Sequence, residues 1–167
     1  AQNRAWQEDG LPPLRVAVNL SARQFQQRNL IDMVAQVLED TGMDPHCLQL
    51  EITEDVAMQD VDITIAVLRS LRAMGVEIAM DDFGTGYTSL SYLKRLPVSA
   101  VKIDQSFVRD LTIDPNDGEI VAAVIAMAHN LKLNVIAEGV ETEEQLALLK
   151  QRDCDEMQGY LFSRPAP

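Results

Sequence analysis

The sequence predicts an α/β fold of parallel strands joined by helical crossovers. Two observations predict it. Apolar runs of strand length alternate with helix-period segments along the whole chain, and a polar or charged residue stands near the C-terminal end of each run.

Leu14 to Leu20 is rich in β-branched residues and reads as the first strand. Leu30, Ile31, Val34 and Leu38 then fall on one helix face, and Leu48 to Ile52 is the next strand. Val61, Ile65, Leu68 and Leu71 follow at helical spacing, with Gly75 suited to the end of that helix. Val76 to Met80 is strand-like, with Asp81 and Asp82 directly after it. Ser89 to Leu96 is a short helix stopped by Pro97, and Val98 to Ile103 is the fourth strand. Thr112 to Gly118 is turn-rich and predicts a surface loop. Ile120, Val121, Val124, Met127 and Leu131 mark a long helix before the strand Leu133 to Ala137. Thr142 and Gln145 form a capping box for a helix carrying Leu146 and Leu149, with Lys150 and Arg152 in its last turn. Asp155 to Gly159 is a sixth, less hydrophobic strand. Six such units fit a doubly wound sheet or part of a (β/α)8 barrel. No low-complexity linker divides the chain, so residues 1–167 read as one domain.

Composition narrows the function. Of 167 residues, 47% are hydrophobic and 24% charged, which excludes general disorder. Asp and Glu number 26 against 14 Lys and Arg, a net charge of −12. That balance excludes a coat for DNA or RNA polymers and a polybasic membrane anchor. A small anionic ligand would need metal ions to attract it. No apolar run approaches the ~18 residues of a transmembrane helix, and the N-terminal residues lack the pattern of a secretory signal. Cys47 and Cys154 make no disulfide framework and read as reduced thiols, which predicts a cytoplasmic setting.

The polar residues at strand ends carry the chemistry. They are Asn19, Glu51, the pair Asp81 and Asp82, Lys102 with Asp104, Glu138, and Gln158. Parallel strands would gather them on one rim, and in barrels the C-terminal rim is where active sites form. A charge there is costly unless paired or metal-bound. Carboxylates and an amide oxygen are hard ligands suited to Mg²⁺ or Mn²⁺. Asp81 and Asp82 could serve two ions, which together stabilise attacking and leaving oxygens at phosphorus. Lys102 could orient the attacking water or offset developing charge. Each position alone has a plainer reading: Asp82 as a helix N-cap, Glu51 and Glu54 as a solvated loop, Lys102 as a surface charge. Their recurrence at successive strand ends favours a metal site. His46 and His129 lie off this rim and read as surface or packing residues.

Six segments resemble, in order, those of the EAL family of bacterial cyclic di-GMP phosphodiesterases. They are Asn19–Phe25 (NLSARQF), Leu50–Asp55 (LEITED), Met80–Leu96 (MDDFGTGYTSLSYLKRL), Val101–Val108 (VKIDQSFV), Ile136–Thr142 (IAEGVET) and Gln158–Pro165 (QGYLFSRP). The resemblance implies a (β/α)8-type barrel with one antiparallel strand. It implies two-metal hydrolysis of one phosphodiester of cyclic di-GMP to linear pGpG, in second-messenger signalling. Asn19, Glu51, Asp81 and Glu138 would ligate one metal, with Asp81 shared and Asp82 serving the second. Lys102 would hold the catalytic water, with Glu138 beside it at the reacting centre. Asp104 and Gln158 would complete the site. Glu54 and Glu141 would steady the loop Phe83, Gly84, Thr85 and Gly86, whose glycines give it mobility.

The Glu-Ala-Leu tripeptide that names the family is absent. A (β/α)8 barrel needs around 250 residues. The expectation is therefore an incomplete TIM-like barrel, the C-terminal two-thirds of the domain, lacking one metal ligand and a phosphate-holding arginine. Such a chain would be inactive or nearly so by itself. Its open sheet edges predict a homodimer or strand-swapped association. The parent would carry other signalling domains, which could tether it to a membrane. The rival reading is a non-catalytic module that binds cyclic di-GMP or a protein.

Overall fold

The computed structural model describes residues 2, 3, 6, 10–86 and 90–165. Tyr87, Thr88 and Ser89, part of the paired-aspartate segment and the start of the helix expected at Ser89, lie outside them.

Six strands form one sheet in chain order: β1 (Val16–Asn19), β2 (Leu48–Thr53), β3 (Glu77–Phe83), β4 (Ala100–Ile103), β5 (Asn134–Ala137) and β6 (Glu156–Met157). A doubly wound sheet reverses its strand order at a switch point. This order has no such reversal and runs as in a barrel, and among the described residues six strands stand, five of them followed by helices, against the eight βα units of a complete (β/α)8 barrel.

The chain packs as two compact units, one of residues 1–79 and 90–98, the other of 80–89 and 99–167. In the first, β1 pairs parallel with β2, Asn19 opposite Glu51. Helices α1 (Ala22–Phe25), α2 (Leu30–Thr41), α3 (Glu54–Gln59), α4 (Val61–Ala73) and α5 (Leu90–Leu93) complete it. Leu50 and Ile52 of β2 and Leu68 and Leu71 of α4 are buried in its core, whereas all four residues of β1 are exposed. In the second unit β4 pairs parallel with β5, and β5 with β6. Helices α6 (Gln105–Arg109), α7 (Pro115–Asn130) and α8 (Glu143–Gln151) join them. Val101, Ile103, Val121, Ile125, Val135 and Leu149 are buried there. Burial on both faces explains why these parallel strands read as continuous apolar runs. Among the described residues no helix is long and apolar enough to cross a membrane.

Three expectations change. Asp81 and Asp82 lie inside β3 rather than after it. The turn-rich run from Thr112 ends in a helix start: Asp114 caps α7, its carboxylate accepting from the Asn116 amide at 2.8 Å, and Pro115 takes the first helical position. Glu54 opens helix α3 and, like Glu51, is buried, so neither is a solvated loop residue. The one-turn helices α1, α3 and α6 are too short to show a period. The capping box at Thr142 and Gln145 forms as expected. Both cysteines are free and buried.

Candidate active site

The second unit gathers charge at the C-terminal ends of its strands. In a regular strand, Asp81 and Asp82 would face opposite sides of the sheet. Asp82 instead adopts φ +54°, a left-handed conformation that non-glycine residues seldom hold and that marks local strain. This turn lets neighbouring carboxylates serve one cluster. One oxygen each from Asp81, Asp82 and Glu138 lies within 4.8 Å of the others.

Lys102, on β4 and only 3% exposed, joins this cluster and is not the surface charge of the plainer reading. Its ammonium lies 3.0 Å from Asp81 Oδ1 and 2.6 Å from Glu138 Oε1. The Gln158 amide donates to the same Glu138 oxygen at 2.6 Å, and the Asp82 backbone N–H donates to Asp81 Oδ1 at 3.1 Å. Three carboxylates and one ammonium leave a formal charge of −2 in a largely desolvated space. Hard oxygen donors with that surplus fit a divalent cation such as Mg²⁺ or Mn²⁺.

Asp104 follows β4 and caps α6, accepting from the Ser106 amide at 2.9 Å. Glu141 is exposed on the loop between β5 and α8. With Glu138 and Gln158 it lines a pocket of about 520 Å³. Gln105, Tyr160 and Arg164 line the same pocket and stand outside the sequence expectation. The Arg164 guanidinium lies 5.2 Å from the Tyr160 ring centroid. The segment QGYLFSRP was the available signal for both, but a lone Tyr or Arg there has no pattern that marks it. Two rim loops are set by close backbone approach. A Cβ on Gly159 would lie 2.2 Å from the Val140 carbonyl oxygen, which accepts from Leu161 N–H at 3.0 Å. A Cβ on Gly84 would meet the Phe107 ring at 3.1 Å.

In the first unit, Asn19 ends β1 and lies in parallel register opposite Glu51, the fourth residue of β2. The Glu51 carbonyl accepts from Leu20 N–H at 2.8 Å, and Glu51 is 4% exposed. Glu54 is buried three residues on. His46 belongs to a 3₁₀ turn of this unit, and its ring lies 3.3 Å from where a Cβ on Gly75 would sit. His129 closes α7 and pairs with Asp155 at 2.9 Å.

A family model described as the EAL domain matches residues 1–165. The chain belongs to the EAL-domain family. The cyclic di-GMP phosphodiesterase NbdA of Pseudomonas aeruginosa is 51% identical to this EAL chain over 154 residues, 92% of the chain and 20% of NbdA. The chain thus spans about a fifth of that relative's length. The solved structure of the PaMucR phosphodiesterase in complex with c-di-GMP matches with a TM-score of 0.95 and 47% identity, covering 99% of this chain and 67% of that one. A manganese and cyclic di-GMP complex of BlrP1 from Klebsiella pneumoniae matches with a TM-score of 0.83 at 35% identity, covering 91% of this chain and 39% of that one.

Proposed function

We propose that the EAL domain to which these residues belong hydrolyses cyclic di-GMP to linear pGpG with divalent metal ions. The observation that carries this is the clamp of Lys102 between Asp81 and Glu138, beside Asp82, in an EAL-family chain. Asp81, Asp82 and Glu138 would hold metal. Asn19 and Glu51 enter the ligand set on their sequence motifs alone. What Mg²⁺ or Mn²⁺ supplies when bound is polarisation of the phosphoryl oxygens and a more acidic attacking water.

The protein's own groups set the rest. Lys102 is fixed by two carboxylates, so its ammonium is placed before substrate arrives, to orient water and offset charge growing at phosphorus. Gln158 holds the Glu138 carboxylate in one orientation. Asp104 acts through α6, whose start it caps. Glu54 and Glu141 enter, like Asn19 and Glu51, on their sequence motifs alone. The Tyr160 ring and Arg164 guanidinium offer a face for a base or a phosphate. A doubly anionic nucleotide approaches an acidic protein of charge −12 through the cations it binds. The relatives' length outside the matched region supports further signalling domains in the parent, and the exposed β1 supports self-association.

Titrating cyclic di-GMP by calorimetry, with and without Mn²⁺, tests the reading. Affinity that depends on Mn²⁺ and falls at least ~10-fold in Glu138→Gln is expected. Metal-independent binding, unchanged in that variant, would instead identify a non-catalytic receptor. Chromatography of the mixture shows whether pGpG forms.

A further inference from the structure

We propose that Gln145 is a positioning residue that sets the Glu138 carboxylate against Lys102; this rests on the metal-dependent reading above. Gln145 is the third helical residue of α8 and is 4% exposed. Its Oε1 accepts from the backbone N–H groups of Glu141 at 2.8 Å and Thr142 at 3.0 Å. Its Nε2 donates to the carbonyls of Val108 at 3.1 Å and Arg109 at 3.2 Å, at the far end of α6. A side-chain amide has two acceptor lone pairs and two donor hydrogens, so all of its capacity is used.

A capping box needs only the bond to Thr142. The box on α1 shows the minimum: exposed Gln24 accepts from Ser21 N–H at 3.1 Å and Ser21 Oγ at 2.6 Å, both within its own turn. The other three bonds of Gln145 reach the Glu138–Thr142 loop and α6. The loop is held at each successive residue. Gly139 packs so closely on Gln105 that a Cβ would lie 2.7 Å from that residue's Cβ. Val140 N–H donates to the Gln158 carbonyl at 3.0 Å. Glu141 and Thr142 are held by Gln145. The segment it is tied to, α6, begins two residues after Ile103, and Lys102 lies immediately before Ile103. Gln145 therefore braces the strand end that carries Glu138 against the one that carries Lys102, which lie 2.6 Å apart.

The experiment measures Mn²⁺ affinity by electron paramagnetic resonance, with Mn²⁺ alone as probe, and the thermal midpoint of the same samples. Gln145→Leu is expected to raise the Mn²⁺ dissociation constant about 10-fold. Gln145→Asn, too short to bridge, is expected to do the same and serves if the first variant does not fold. Thr142→Ala removes only the local cap, whose Oγ1 accepts from Gln145 N–H at 3.2 Å. It is expected to lower the midpoint and leave Mn²⁺ affinity unchanged. Equal Mn²⁺ affinity in Gln145→Asn and the parent would overturn the proposal. So would an equal loss of affinity in Thr142→Ala, which would reduce Gln145 to a helix cap. Glu138→Gln separates the two readings. If it too binds Mn²⁺ normally, the metal reading fails and the positioning role with it. If it alone loses affinity, only the positioning role fails.

Discussion

The two ends of β5 are built on opposite terms. At the C-terminal end, Glu138 shares buried Lys102 with Asp81, and the cluster keeps a formal charge of −2. At the N-terminal end, the Asp155 carboxylate accepts from Val135 N–H at 2.8 Å and pairs with His129 at 2.9 Å, both side chains more than a third exposed. The Cys154 thiol beside them donates to the Val135 and Glu156 carbonyls. One end gathers three carboxylates around a buried ammonium, and the other pairs its groups near the surface. Clustered charge with little solvent is costly and is kept where it has a use, and in barrels the C-terminal rim is where active sites form, which locates the chemistry at the C-terminal end.

Removing the partner of the carboxylates at each end should break the comparison most strongly. Lys102→Met leaves two desolvated carboxylates facing each other. Without metal it should cost about 3–5 kcal/mol of stability, the range for breaking a buried pair. Mn²⁺ should restore much of that loss, because a divalent ion replaces the missing charge. His129→Ala removes a half-exposed partner and should cost about 0–1 kcal/mol, with no Mn²⁺ dependence. Urea denaturation of both variants, with and without Mn²⁺, measures the four values. A Lys102→Met loss that Mn²⁺ leaves untouched would remove the metal from the cluster.

This asymmetry was partly legible in the sequence. Buried parallel strands show as unbroken apolar runs, and Lys102 and Glu138 stand out as charges inside one such run and directly after another. The left-handed turn at Asp82 was not legible, since nothing in Met-Asp-Asp-Phe marks a positive φ inside a strand. Gln145 showed only half its role. The box with Thr142 is a local pattern, but its bonds to Val108 and Arg109 span 37 and 36 residues. Asp114 to Gly118 misled because Asp, Pro, Asn and Gly serve turns and helix starts alike.

A smaller effect is expected at the Cys154 thiol. Burial first, opposed by hydrogen bonding to backbone, pushes its pKa up to about 11. The thiolate is the nucleophile, so at pH 8 the folded protein should react with iodoacetamide on the order of 10²-fold more slowly than the unfolded chain. The sign for stability follows. An acid whose folded pKa is raised favours folding only while it stays protonated. That contribution is whole below the unfolded value of 9.0 and is lost as pH rises towards about 11. Alkylation followed by mass spectrometry, across this range, checks both statements. Fast labelling of native protein at pH 8 would contradict them.

The smallest expected effect concerns strain that serves no site. Asp82, Lys132 and Asp153 are the non-glycine residues at positive φ among those described, at +54°, +62° and +60°. Lys132 and Asp153 each follow a helix and close a Schellman turn. Lys132 N–H donates to the His129 carbonyl and Leu133 N–H to that of Ala128, and Asp153 and Cys154 repeat the pattern onto Lys150 and Leu149. Gly75 fills the same position after α4, where His46 and Pro45 leave a Cβ only 3.3 Å of room. A side chain in the left-handed region costs about 1–2 kcal/mol. Glycine gives back about 0.5–1 kcal/mol through its freer unfolded chain. Lys132→Gly should therefore stabilise the protein by about 0.5–1 kcal/mol in urea and leave Mn²⁺ affinity alone. Asp82→Gly relieves the same strain but should lose Mn²⁺ affinity, because there the twist serves the carboxylate cluster. If both glycine variants bound Mn²⁺ equally well, the conformation of Asp82 would be only another turn.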